Sequence, residues 1–215
     1  KKVEGQVADK KGEMPAMSEE EKAWMDAATP GEMHAWIGKN AGTWDLKVKT
    51  LMPGQPVSES AATCTTTLMM DGRFAHSAVK GEFKWGEMTV AFEGAGTMGY
   101  NNTTKQFEGT WMDNMGTMTM FMTGELDASK KVLTMKGNMV CPMNNKPCTM
   151  KNVLTVKSDN EMVQEFYNDM YGPETKVMEI TYTRAKGGKA DKGAMGKVTD
   201  EVKKATDELK KQMPS

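Results

Sequence analysis

The chain has 215 residues, enough for one barrel-sized domain with appendages and too few for two full domains with linkers. Its 28 Lys and Arg balance 29 Asp and Glu for a net charge of −1, and no basic run interleaves with aromatics, so no nucleic-acid partner is expected. No apolar stretch reaches the ~18–20 residues of a membrane-crossing helix, so the reading is a soluble, non-transmembrane chain.

Residues 1–17 mix Lys, Glu, Gly and Pro without periodicity and read as a disordered lead-in. The polar start without an initiator Met fits removal of an export signal and equally a trimmed chain, so a periplasmic or otherwise exported protein is the expectation, with the cytoplasm as the alternative. Ser18 and Glu21 form a capping box ahead of Ala23, Trp24 and Ala27, which predicts a helix over 18–28. Thr29-Pro30-Gly31-Glu32 repeats the signal, with Pro at the first helical position, before the stripe Met33, Trp36, Ile37. These helices make up an N-terminal segment, 18–41.

From Thr43 to Arg184 the period becomes alternating. Ten strands are predicted at 43–52, 58–69, 73–81, 87–100, 105–113, 116–125, 131–141, 148–158, 161–170 and 175–184. Asp71-Gly72, Asn101-Asn102, Asp127-Ala128-Ser129, Asn144-Asn145, Ser158-Asp159-Asn160 and Gly172-Pro173 mark the hairpins. A meander this long leaves two raw edges unless it curls until first meets last, so a barrel domain over 42–184 is expected. Closure places Trp44 beside Arg184, a cation–π pair of about 0.5–2 kcal/mol. Gly94, Gly96 and Gly99 read as the residues that let a strand bend across a barrel corner. Residues 185–197 read as a linker, and Val198, Val202, Ala205, Leu209 and Met213 predict an amphipathic helix over 198–213. The tail from 185 carries eight Lys against five acidic residues, so this basic helix could dock on the barrel, pair with another copy or touch an anionic surface.

A family resemblance rests on Gly42-Thr43-Trp44, Asp71-Gly72-Arg73-Phe74, the run Phe92 to Asn101, Phe107, the run Gly109 to Thr117, and Met178-Glu179-Ile180-Thr181-Tyr182-Thr183-Arg184. With these residues the stretch from Met33 to Arg184 resembles the bacterial domain of unknown function 1579, a lipocalin-like family. The resemblance implies a calycin-type barrel, and no catalytic residues come with it. The fold expected is therefore all-β: a ten-stranded antiparallel up-and-down barrel of lipocalin or fatty-acid-binding-protein type, with two short N-terminal helices and a C-terminal amphipathic helix.

Methionine is the compositional outlier, 23 against 5 Trp, 4 Tyr and 6 Phe, so thioethers fill volume that aromatics usually supply. Met112, Met118, Met120 and Met122 read as one sheet face, serving as core, as cavity lining, or both. The ligand-cavity candidates are Arg73, Phe92, Tyr100, Trp111, Asp113, Met118, Met120 and Met122. Asp113 is either an interior carboxylate that needs Arg73 or a ligand, or a turn residue at a strand end; the turn is preferred. Cys141 and Cys148 flank a six-residue loop, which allows a disulfide. With Met139, Met143 and Met150 the same thiols form a soft-sulfur set suited to Cu(I), and free thiols are the third alternative. Neither His34 nor His76 has the partners of a metal centre or a triad, so no catalytic residue is assigned, an enzyme is not expected, and His76 reads as a hydrogen-bonded strand histidine. The function expected is binding of a small, mostly apolar ligand in the barrel without catalysis and without a cofactor. The alternatives are copper or other soft-metal handling, or an accessory role in which the C-terminal helix recruits a protein partner or a second copy.

Overall fold

The computed structural model describes residues 17–85 and 88–187. The expected lead-in up to residue 16, the C-terminal helix and most of its linker lie outside the described residues. Two short helices, α1 (Glu19–Ala28) and α2 (Glu32–Lys39), precede ten strands: β1 (Gly42–Thr50), β2 (Ser58–Met69), β3 (Phe74–Trp85), β4 (Met88–Asn101), β5 (Gln106–Asp113), β6 (Met120–Leu126), β7 (Val132–Val140), β8 (Pro147–Ser158), β9 (Glu161–Asn168) and β10 (Lys176–Arg184). Each strand pairs antiparallel with the next, and β1 pairs with both β2 and β10, so the sheet closes into a barrel with no free edge. Among the described residues no helix is long and apolar enough to cross a membrane.

The capping box at Ser18 forms as expected: Glu21 N–H donates to Ser18 Oγ at 3.1 Å and Ser18 N–H donates to the Glu21 carboxylate at 2.7 Å. Among the described residues the apolar stripe on α1 meets no packing partner: no residue of α1 is buried and Trp24 is 78% exposed. Its C-terminal end is tied down instead, with Asn102 Nδ2 donating to the Asp26, Ala27 and Thr29 carbonyls and Arg73 Nε donating to the Ala28 carbonyl. The second helix starts later than Pro30 predicts. Thr29 terminates α1, and Gly31 caps α2 by donating its N–H to His34 Nδ1 at 3.0 Å.

Hairpin chemistry accounts for most of the turns. Asp71 and Gly72 both take positive φ, as do Asn145 and Gly172. At two hairpins the left-handed residue is a lysine, Lys105 or Lys130, held there because the preceding Asn101 or Asp127 side chain accepts two backbone N–H groups. The expected strand 116–125 begins only at Met120. Asn114 explains this: its N–H donates to the Glu93 carbonyl, its Oδ1 accepts from Glu93 N–H and its Nδ2 donates to the Ala91 carbonyl, so the chain leaving β5 stays bound to β4.

Gly94, Gly96 and Gly99 all lie outside the positive-φ region, so what each position requires is the missing Cβ. A Cβ on Gly94 would sit 2.4 Å from the Trp111 ring, one on Gly96 2.5 Å from the Thr110 carbonyl and 2.9 Å from Trp111, and one on Gly99 2.5 Å from Phe74. Gly94 and Gly96 are a flat bed for the Trp111 indole on the inner wall, and Gly99 makes room for Phe74 on the outer wall.

Candidate functional site

The register fixes which side chains face inward. Trp44, Leu46 and Val48 of β1 stand opposite Arg184, Tyr182 and Ile180 of β10, and opposite Cys64, Ala62 and Ser60 of β2. Following the same face around the sheet reaches Ala75, Ser77 and Val79 on β3, Met98 and Tyr100 on β4, Phe107 and Trp111 on β5, and Met162 and Gln164 on β9.

One end of the barrel is shut. Trp36 of α2 donates its indole N–H to the Lys130 carbonyl in the β6–β7 turn at 2.9 Å and packs edge-on against Phe107, which in turn meets Tyr100. His34 is buried on the same helix and meets Tyr100 edge-on. Burial pushes the His34 imidazole below its ordinary pKa, and Arg73 adds to this. Beside this plug the Arg184 guanidinium lies over the Trp44 ring at 4.0 Å, with Trp44 only 1% exposed. Arg184 also donates to the Lys39, Ala41 and Asp159 carbonyls, while Trp44 Nε1 donates to the Asn40 carbonyl. The pair expected from the sequence is thus a lock between α2, the first strand and the last.

Above the plug several inward side chains keep accessible surface. Val79, Trp111, Gln164 and Ile180 point inward from strands hydrogen-bonded on both sides, and each is only half-buried. The lining is mainly apolar, with few polar groups: Tyr182 donates to Gln164 Oε1 at 2.6 Å, and Thr66 Oγ1 pairs with Ser77 Oγ at 2.8 Å. Burial pushes the Tyr182 phenol well above its ordinary range, so it stays a neutral donor. Alternation along β9 and β10 marks Gln164 and Tyr182 as facing the same way. A polar Gln among Met162, Phe166 and Ile180 was the available signal for this pair, which the sequence reading missed.

The other cavity candidates divide. Phe92, Trp111, Met120 and Met122 share the inner face, and Tyr100 belongs to the plug. Asp113 combines the two roles weighed for it: it ends β5 at the open rim, accepts from Trp111 Nε1 at 2.9 Å and accepts from Met115 N–H at 3.0 Å. Arg73 is not its partner. Arg73 lies at the plugged end, bound to the Ala28 and Met70 carbonyls and 3.7 Å from the Asp71 carboxylate, and it leaves the cavity set. Met118 sits in the β5–β6 connection, 39% exposed, and Met112 is on the outer face of β5, so the expected Met112–Met118–Met120–Met122 row does not exist. His76 is half-buried on the outer face of β3.

Cys141 and Cys148 are buried free thiols, not a disulfide. The register pairs Cys148 with Met139, whereas Cys141 lies past the end of β7 and closes the hairpin by donating its N–H to the Lys146 carbonyl at 2.8 Å. Met143 is 64% exposed at the hairpin and drops out of the sulfur set. Among the described residues no three His, Cys, Asp or Glu side chains gather as a metal site. Outside the barrel, β7, β8, β9 and the turn Asp169–Tyr171 border a cleft of about 670 Å³. There Lys151 stands over the Tyr167 ring at 4.2 Å and pairs with Glu174.

A closed ten-strand antiparallel barrel with a helix plugging one end is the architecture of a lipocalin-like protein. The chain belongs to the family described as "Protein of unknown function (DUF1579)", whose model matches residues 29–184. No curated protein matches the chain. Among solved structures it is similar to the S-type phycobiliprotein lyase of Guillardia theta, at 7% identity and a TM-score of 0.50, covering 76% of this chain and 97% of that one. A redesigned β-barrel also matches, at 13% identity and a TM-score of 0.38, covering 73% of this chain and all of that one.

Proposed function

We propose that the barrel binds one small, mostly apolar ligand in the space above the Trp36 plug and performs no chemistry on it. The observation that carries this reading is the accessible surface on Val79, Trp111 and Ile180, inward residues of a sheet without edges. An apolar wall with a few convergent polar groups is the usual makeup of a ligand pocket, and Gln164 with Tyr182 would orient a polar end of the guest. The similarity to the phycobiliprotein lyase supports the fold behind this reading and not the guest.

The test is titration with a dansylated fatty acid. Saturable binding at one probe per chain is expected, weakened by about tenfold or more in Val79→Trp, whose indole fills the hollow, with an unchanged far-UV circular dichroism spectrum. Non-saturable binding, or saturable binding indifferent to Val79→Trp, would remove the reading.

A further inference from the structure

We propose that the open rim carries a Cu(I) site made by the thiolates of Cys141 and Cys148 and the thioether of Met170. The two thiols come from adjacent strand ends. Cys148 follows Pro147 into β8 opposite Met139 on the inner face, and Cys141, two residues past Met139, closes the same hairpin through its bonds with Lys146 and Asn145, a diagonal step from Cys148. Both are free, and they are 3% and 7% exposed.

Met170 is supplied by a different part of the chain. Asn168 ends β9 and accepts Met170 N–H on its side-chain oxygen at 2.9 Å, starting the 3-10 turn Asp169–Tyr171. Asp169 accepts Thr149 N–H at 2.8 Å and so pins that turn to β8. The result is Met170 Sδ at 2.7 Å from Cys141 Sγ. Three soft donors from the β7–β8 hairpin, β8 and the β9–β10 connection are held by backbone hydrogen bonds, an arrangement set before any metal arrives.

The donor set decides the metal class. Two thiolates and a thioether, with no imidazole and no grouped carboxylates, suit Cu(I) and leave Zn(II) short of its four N, S or O ligands. Met170 also borders the outer cleft, so the metal has a route to the sulfurs that avoids the apolar interior. On loading, two S–H bonds give way to two Cu–S bonds, Met170 adds a neutral donor, two protons leave to solvent, and copper keeps its oxidation state.

The experiment is anaerobic competition of the full-length, reduced protein for Cu(I) against bathocuproine disulfonate, with X-ray absorption on the loaded form. One Cu(I) per chain with three sulfur neighbours is expected. Cys141→Ser and Cys148→Ser should abolish stoichiometric loading, Cys64→Ser should leave it unchanged, and Met170→Leu should weaken it by about tenfold or more and leave two sulfur neighbours. Circular dichroism of each variant confirms the fold. Absence of Cu(I) binding by the unaltered chain, or binding indifferent to Cys148→Ser or Met170→Leu, overturns the site.

Discussion

At the scale of single residues, Arg184 is the most heavily used side chain at the plugged end. Its guanidinium covers the Trp44 ring and reaches three backbone carbonyls, two of them where α2 leads into β1. A lysine there keeps the charge but cannot spread donors over a planar fork. Arg184→Ala is therefore expected to cost about 2–4 kcal/mol in urea unfolding, and Arg184→Lys to recover less than half of that. A loss under about 0.5 kcal/mol for Arg184→Ala would mean the lock is decorative. Trp111 is placed differently, by absence: its indole lies where Gly94 and Gly96 have no side chains, and Asp113 holds its ring N–H. The sequence marks those glycines as places that need a missing Cβ, and only the folded chain shows that the Trp111 ring is the neighbour that takes the space.

At the scale of elements, α2 is the plug and His34 makes it sensitive to acid. In the folded protein His34 Nδ1 accepts Gly31 N–H, which only the unprotonated nitrogen can do. Burial, together with Arg73 nearby, lowers the folded pKa below the ordinary 6.5. An unfolded chain thus takes up a proton that the folded chain refuses between 6.5 and the depressed value. The His34 contribution is complete above pH 6.5 and is lost as pH falls below it. Stability measured by urea unfolding from pH 7 down to pH 5 is expected to drop more steeply in the native chain than in His34→Gln; equal slopes would contradict the assignment. The strand pattern itself was readable because every strand of a closed sheet has one inner face, so Trp44, Leu46 and Val48 alternate with Asp45, Lys47 and Lys49. The late start of β6 was not readable, since it depends on the Asn114 side chain holding on to β4. The position of Met170 was equally hidden, because the 3-10 turn follows no strand period and brings it against a thiol 29 positions earlier.

At the scale of the whole molecule, pairing of the first strand with the last gives the ends of the barrel different characters. The plugged end gathers Trp36, Trp44, Tyr100, Phe107 and Arg184, while the rim carries Asp113, Cys141, Cys148 and Met170. This polarity explains why Arg73 and Asp113, reasonable partners by charge, never meet: one precedes β3 at the plugged end and the other ends β5 at the rim. Closure was foreseeable from ten strands in uninterrupted meander, whereas the volume left inside depends on how inward side chains of mixed size pack together. That volume is the central claim, and crystals of the protein pressurised with xenon test it most directly, because xenon enters dry apolar cavities and needs no specific contact. Xenon sites within the barrel, between Val79, Trp111 and Ile180, are the expected result. A barrel interior with no xenon and continuous side-chain density across it would contradict the account.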